Sequence, residues 1–204
     1  MEGMRERGVA ALEAAAWLTA LLPCAVLGAT VCMKAHDQRV LGVIPEAAIR
    51  EAAVPALRWS SDGNTGSFAI DPLTVRSMAE SLALSARREA EASVLRTSQI
   101  SVRACGWVYR VDTQTGALGA LERQECAALG SLPLAAELLG ARQSALEGRP
   151  GIRLGSPGEA PIFADRVLVV GVAVGGGFPS LGGALGDGAI TAASAGFPRS
   201  EVSL

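Results

Sequence analysis

The chain has 204 residues, of which 50% are hydrophobic but only 4% aromatic, and a formal net charge of -2 at pH 7. This near-neutral balance provides neither a basic patch for nucleic acid nor an acidic tail for a basic partner, so no nucleic-acid binding is expected. With the first ~40 residues set aside as an apolar segment, the remainder suffices for one domain with a modest core.

The N-terminal region carries the strongest signal in the sequence. Residues 9–33 form an apolar run in which Glu13 is the only charged residue. At about 1.5 Å rise per residue, a helix over this run is long enough to cross the hydrocarbon core of a bilayer. Pro23 within it predicts a kink or local unwinding. Arg5 and Arg7 favour a cytoplasmic N-terminus, although cationic residues behind the run weaken that asymmetry.

A cleaved secretory signal is an alternative, because residues 25–29 offer a small-residue cleavage site that would release a secreted protein, such as an enzyme, starting near Thr30. The apolar run exceeds the ~7–15 residues of a signal-peptide core, which favours a retained membrane helix. Cys24 and Cys32 are interpreted as small apolar residues of that helix.

The segment RGVAALE, residues 7–13, followed by a long apolar helix, resembles the processing site of type IV prepilins, and most closely that of the TadE/TadF-like pseudopilins. The resemblance implies that residues 1–8 are a leader and that a prepilin peptidase cuts after Gly8. Val9 then becomes the N-terminus, and Glu13 becomes the fifth mature residue. Ala14 departs from the family pattern, in which Phe or Tyr often follows the glutamate.

The new amine of Val9 is a cation in an apolar environment, and Glu13 one helical turn later provides a carboxylate. In the family, the amine of one subunit is thought to meet the glutamate of a neighbour. The resemblance therefore implies a minor component of a tight-adherence pilus in the bacterial inner membrane, with its domain outside the cytoplasm. Its partners would be the prepilin peptidase, other pilins or pseudopilins, and the assembly platform. The alternative is an unprocessed, signal-anchored envelope scaffold in which Glu13 snorkels to the interface.

Residues 34–70 are predicted to form a stalk and loop between the membrane helix and the exported domain. Apolar residues from position 40 to 49 continue a helix that is expected to break at Pro45. Residues 59–67 are rich in Ser, Gly, Asn and Asp and predict a loop.

The exported domain, residues 71–174, is predicted to be α+β, with helices and a short antiparallel sheet. Asp71 and Pro72 form a helix-start signal, in which Asp is the N-cap and Pro the first helical residue. Apolar residues at helical spacing extend this helix as far as Arg96.

Two strands are predicted in the remainder of the domain. Residues 100–111 alternate as a strand does, and residues 166–174, enriched in β-branched side chains, are expected to pair with them. Residues 121–129 fit either a returning strand or a short helix, and residues 132–146 fit a further helix. The Gly-rich residues 175–204 are predicted to be a flexible tail.

The remaining candidate residues are interpreted as structural residues and not as catalytic or metal-binding ones. Cys105 and Cys126 are expected to form a disulfide if the domain is exported, and otherwise to be two buried thiols. His36, the only histidine, is interpreted as an interfacial residue, so no metal ligand set, cofactor or catalytic residue is predicted. The glycines at 175–177 lack the Lys-Ser/Thr that would mark a phosphate loop. An enzyme is therefore not expected.

Overall fold

The computed structural model describes residues 2–52, 58–62, 65–112, 114–130, 133–147, 149, 153–154, 162–163, 165–179 and 188–198. The helices and strands within these ranges are, in chain order, α1 (Glu2–Glu51), β1 (Arg58–Asp62), β2 (Thr65–Ala69), α2 (Pro72–Ser93), β3 (Ser98–Val111), β4 (Leu118–Leu129), α3 (Pro133–Ser144), β5 (Arg153–Leu154), β6 (Ile162–Phe163), β7 (Arg166–Phe178) and β8 (Gly188–Gly196). The chain is α+β, as predicted: a long N-terminal helix is followed by a small domain.

A four-stranded antiparallel sheet, in the order β4-β3-β7-β8, forms the centre of the domain. The predicted pairing of residues 100–111 with residues 166–174 is confirmed by β3 and β7. Residues 121–129, for which the sequence allowed a strand or a helix, lie in β4 and pair with β3. In this register Cys105 lies directly opposite Cys126.

Both faces of the sheet are covered by helices. Because successive side chains of a strand point to opposite faces, Val102 and Val108 belong to one buried cluster, whereas Trp107 and Tyr109 belong to another. The first cluster includes residues of α2 and of the C-terminal part of α1, and the second includes residues of α3. The helix α3 confirms the helix predicted over residues 132–146.

The start of α2 is the one that the sequence predicted. Pro72 is the first helical residue, and the Asp71 carboxylate accepts a hydrogen bond from the backbone N–H of Leu73 at 3.2 Å. The helix was expected to reach Arg96 but ends at Ser93, because the chain turns there into β3.

The expected break at Pro45 is corrected by the structure, in which α1 continues through both Pro23 and Pro45 as far as Glu51. Proline removes one backbone hydrogen bond and crowds the preceding turn of a helix. Packing of residues 41–48 against the sheet offsets this cost of proline, because Leu41, Ile44 and Ala48 are buried in the domain core. Tertiary contacts thus extend the helix past a residue that would end it in isolation.

The prediction of a flexible tail from residue 175 is also corrected. The strand β7 continues to Phe178, and β8 pairs with it along the edge of the sheet. At Gly176 the absence of a side chain lets β7 lie close to the start of β3. A Cβ on Gly176 would lie 2.5 Å from Cγ2 of Thr97 and 2.9 Å from the carbonyl oxygen of Ser98. Residues 180–187 and 199–204 of the predicted tail lie outside the described residues.

Residues 59–67, predicted as a loop, instead contribute to the antiparallel pair β1 and β2, in which Trp59 lies opposite Phe68. The turn-forming composition that indicated a loop is also the composition of a hairpin connection. Gly63 and Asn64, between the two strands, lie outside the described residues.

Candidate functional site: the exposed helix and its junction with the domain

The first part of α1 projects away from the domain with its apolar side chains exposed. Every residue from 12 to 29 is exposed, including Trp17 and Leu22 at 68% and 66%. Eighteen residues of helix rise about 27 Å, close to the ~30 Å hydrocarbon thickness of a bilayer. The helix is therefore long enough and apolar enough to span a membrane.

Glu13 lies near the beginning of this exposed segment and is itself exposed. Gly8 and Val9 lie on the same continuous helix, one turn earlier, and their side chains are outside the described part of the structure. Residues four apart on a helix lie on the same face and about 6 Å apart along the axis. The backbone thus places the predicted new N-terminus and the carboxylate on one face.

A buried face of α1 begins at Thr30. The buried positions from there on recur at helical spacing, at Thr30, Asp37, Leu41, Ile44 and Ala48. One continuous helix therefore has two structurally distinct parts: the first part is exposed and apolar, and the second part belongs to the core of the domain. Within the described residues, α1 is exposed on every side from residue 12 to residue 29, before this buried face begins.

Asp37 is the central residue of this junction, and its side chain is fully buried. Its carboxylate accepts hydrogen bonds from the backbone N–H groups of Leu95 at 2.8 Å, of Arg96 at 3.1 Å and of Thr97 at 2.8 Å. The Thr97 hydroxyl donates a further hydrogen bond at 2.6 Å. These donors belong to the turn that joins α2 to β3, so one carboxylate fixes the N-terminal helix to the domain.

The electrostatics of Asp37 follow from these contacts. Burial alone raises the pKa of this carboxyl, but the hydrogen bonds from Leu95, Thr97 and Arg96 outweigh burial and lower the pKa from 3.8 to about 2. Asp37 is therefore a carboxylate at neutral pH, held by three backbone N–H donors and the Thr97 hydroxyl, with the His36 ring as a further, longer contact at 3.3 Å. Such charge-assisted hydrogen bonds are stronger than neutral ones.

His36 lies beside this site, with Nδ1 3.3 Å from Oδ1 of Asp37 and with about half of its side chain exposed. No group of three or more His, Cys, Asp or Glu residues that could hold a metal ion occurs within the described residues. The geometry of the junction is that of a structural connection between two parts of the chain.

The domain contains the predicted disulfide. Cys105 on β3 and Cys126 on β4 are joined at an S–S distance of 2.01 Å, with their Cα atoms 4.1 Å apart. The bridge lies on the face of the sheet that packs against α3, in the cluster that includes Trp107. Cys24 and Cys32 are free thiols on the exposed part of α1.

Sequence reasoning missed Asp37, although a signal for it exists. Asp37 occupies a position that is four residues before Leu41 and seven before Ile44, on the apolar face of the helix. A carboxylate on a face that is otherwise apolar must find hydrogen-bond donors when it is buried. The donors lie about sixty positions later in the chain, and no local pattern identifies them.

No family model matches the chain, and neither a curated protein nor a solved structure is similar to it. The family resemblance therefore depends on residues 7–13 and the apolar helix alone.

Proposed function

We propose that this protein is a TadE/TadF-like minor pseudopilin of a tight-adherence pilus system. In this proposal a prepilin peptidase cuts between Gly8 and Val9, and the processed helix then packs against the helices of other pilins or pseudopilins on the assembly platform. The protein acts by packing and carries out no reaction of its own.

The observation that carries the proposal is the division of α1 into an exposed apolar part and a buried part. Glu13 lies on the exposed part, four residues after the proposed new N-terminus at Val9. Its exposure leaves the carboxylate accessible to the amine of a neighbouring subunit. An ionisable side chain in an apolar segment requires such a partner, because the unpaired charge is costly in a membrane.

The small residues of the exposed segment support helix packing. Ala10, Ala11, Ala14, Ala15 and Ala16 are concentrated in the first turns after the proposed cleavage point. Small side chains allow helix backbones to approach closely in a membrane. A buried charge pair between Val9 and Glu13 of neighbouring subunits would then fix the register of the packed helices.

The disulfide supports the proposed orientation. Disulfides form and persist in oxidising compartments outside the cytoplasm. A bridge between Cys105 and Cys126 therefore favours a domain on the extracytoplasmic side, with the short segment before Val9 on the cytoplasmic side, where the peptidase is expected to act. Arg5 and Arg7 in that segment agree with this orientation.

The assembly step is tested by replacing Glu13 with Gln, which retains the shape of the side chain and removes its charge. We expect E13Q to be processed like the wild type but to be recovered poorly in sheared pilus fractions from cells that otherwise make the pilus. The matched control is E46Q, a charge removal on an exposed part of the same helix, which should be recovered normally. Equal recovery of E13Q and E46Q would contradict the charge pair.

The processing step is tested separately by Gly8→Leu, which places a large side chain at the proposed cleavage position. We expect the mass of this variant to stay that of the uncleaved chain. A G8L protein with the same mature mass as the wild type would exclude cleavage at Gly8 and would favour the second function, an unprocessed envelope scaffold anchored by α1.

A further inference from the structure

We propose that the turn between α2 and β3, at residues 94–97, is a second membrane contact, which rests on the outer headgroup layer beside the membrane helix. This inference rests on the proposed insertion of α1 in a bilayer. The occupant of this surface is an anionic lipid bilayer, and the contact residues are Leu95 and Arg96.

The position of the turn along α1 carries the inference. The apolar run ends at Met33, and Asp37 follows four residues later, about 6 Å further along the helix axis. The headgroup layer on each side of a bilayer is about 5–7 Å thick. Asp37 therefore lies at the level of the headgroups when Met33 lies at the edge of the hydrocarbon core.

Asp37 fixes the turn at the same level. The backbone nitrogens of Leu95, Arg96 and Thr97 lie 2.8 to 3.1 Å from the carboxylate oxygens of Asp37. The turn thus cannot move away from this level without breaking buried hydrogen bonds. The turn therefore lies beside α1 and contacts only the surface of the bilayer, whereas α1 crosses it.

The side chains of the turn suit this location. Leu95 is 63% exposed even though its backbone is held at the buried carboxylate, so its apolar side chain points away from the core. Residues 30–40 and 94–99 contain three cationic side chains, Lys34, Arg39 and Arg96, and one carboxylate, that of Asp37, which is buried. An exposed apolar residue among cations is the combination that an anionic lipid surface attracts.

The contact would restrict the tilt of the domain on its helix. A helix that crosses a bilayer alone can rotate and tilt, because its orientation is set by anchors and by neighbouring helices. Leu95 and the helix together define two points of contact. Before assembly, the domain would therefore present a constant face to incoming subunits.

The test uses the full chain in vesicles of phosphatidylglycerol and phosphatidylcholine. In a C24A/C32A background a single cysteine is introduced at Leu95, labelled with a fluorophore and exposed to lipids that carry a spin label at the headgroup or deep in the acyl chain. The matched control is L73C, because Leu73 is also an exposed leucine, at the opposite end of α2. A20C, in the middle of the exposed apolar segment, reports on insertion of the helix itself.

We expect L95C to lose fluorescence with headgroup-labelled lipid, A20C to lose it with deeply labelled lipid, and L73C to lose none. Quenching at A20C with none at L95C would overturn the membrane contact and leave the anchored helix intact. An A20C label that neither lipid quenches would overturn the insertion of α1, and with it this inference. Disulfide-linked dimers of unlabelled L95C, together with no lipid quenching of the labelled protein, would overturn the membrane contact and assign the turn to a second copy of the chain.

Discussion

The carboxylate of Asp37 accepts hydrogen bonds from both the backbone N–H and the side-chain hydroxyl of Thr97, a residue sixty positions later in the chain. This relationship fixes the end of the exposed helix to the first residues of the sheet. A pulling or packing force on the helix is therefore transmitted to the domain through buried hydrogen bonds as well as through the apolar contacts of Leu41 and Ile44.

Replacing Asp37 with Asn should destabilise the domain by about 2–4 kcal/mol, because the amide group loses the charge and turns a donor towards N–H groups that need an acceptor. Urea unfolding followed by tryptophan fluorescence measures the change in the free energy of unfolding. The control E46Q removes an exposed charge from the same helix and should change this free energy by less than about 0.5 kcal/mol. Equal midpoints for D37N and E46Q would contradict the junction described here.

Stability should also fall in acid because of Asp37. Its folded-state pKa of about 2 lies below the ordinary 3.8, so the stabilisation is present above pH 3.8 and is lost as the pH falls towards 2. The shift corresponds to about 2 kcal/mol. Unfolding free energies of the wild type and D37N, measured between pH 7 and pH 2, should therefore converge at the acid end. A constant difference across this range would contradict the low pKa.

Gly171 should tolerate no side chain. A Cβ at this position would overlap the indole ring of Trp107 and would lie 2.8 Å from Cδ1 of Leu139. Overpacking of this kind costs about 1–3 kcal/mol, so G171A should lower the free energy of unfolding by that amount. The matched control is G140A on α3, where no atom lies within 4 Å of the added Cβ. This variant should stabilise the protein by about 0.5–1 kcal/mol, since Gly weakens helices; similar losses in both variants would contradict the packing at Gly171.

The disulfide should contribute about 3 kcal/mol, because it joins residues 21 positions apart and so lowers the conformational entropy of the unfolded chain. The double variant C105S/C126S should therefore unfold at a lower urea concentration than the oxidised wild type. C24A/C32A, which alters thiols on the exposed helix, serves as the control and should leave the midpoint of the domain unchanged. If the two double variants behaved alike, the bridge would have no part in the stability of the domain.

Local signals in the sequence predicted much of the fold. Asp71 and Pro72 predicted the start of α2, because a helix cap is a short-range hydrogen bond. The alternation of residues 100–111 predicted β3, because the side-chain period of a strand is local. The disulfide between Cys105 and Cys126 followed from the presence of two cysteines in the polar part of the chain, outside the apolar run.

The features that the sequence did not predict depend on distant partners. The continuation of α1 past Pro45 is stabilised by packing on the sheet, which local propensity does not report. The glycines at 175–177 have the composition of a flexible segment, but Gly176 allows β7 to lie close to Thr97 and Ser98. Asp37 was missed for the same reason, since its donors become neighbours only after the domain has folded.

The N-terminal peptide of the protein from its native membrane, identified by mass spectrometry in cells with and without the prepilin peptidase, shows whether the chain is cut between Gly8 and Val9. The pseudopilin account predicts a peptide that begins at Val9 and appears only when the peptidase is present. A chain that begins at Met1 in both strains, or near Thr30 in both, would contradict it.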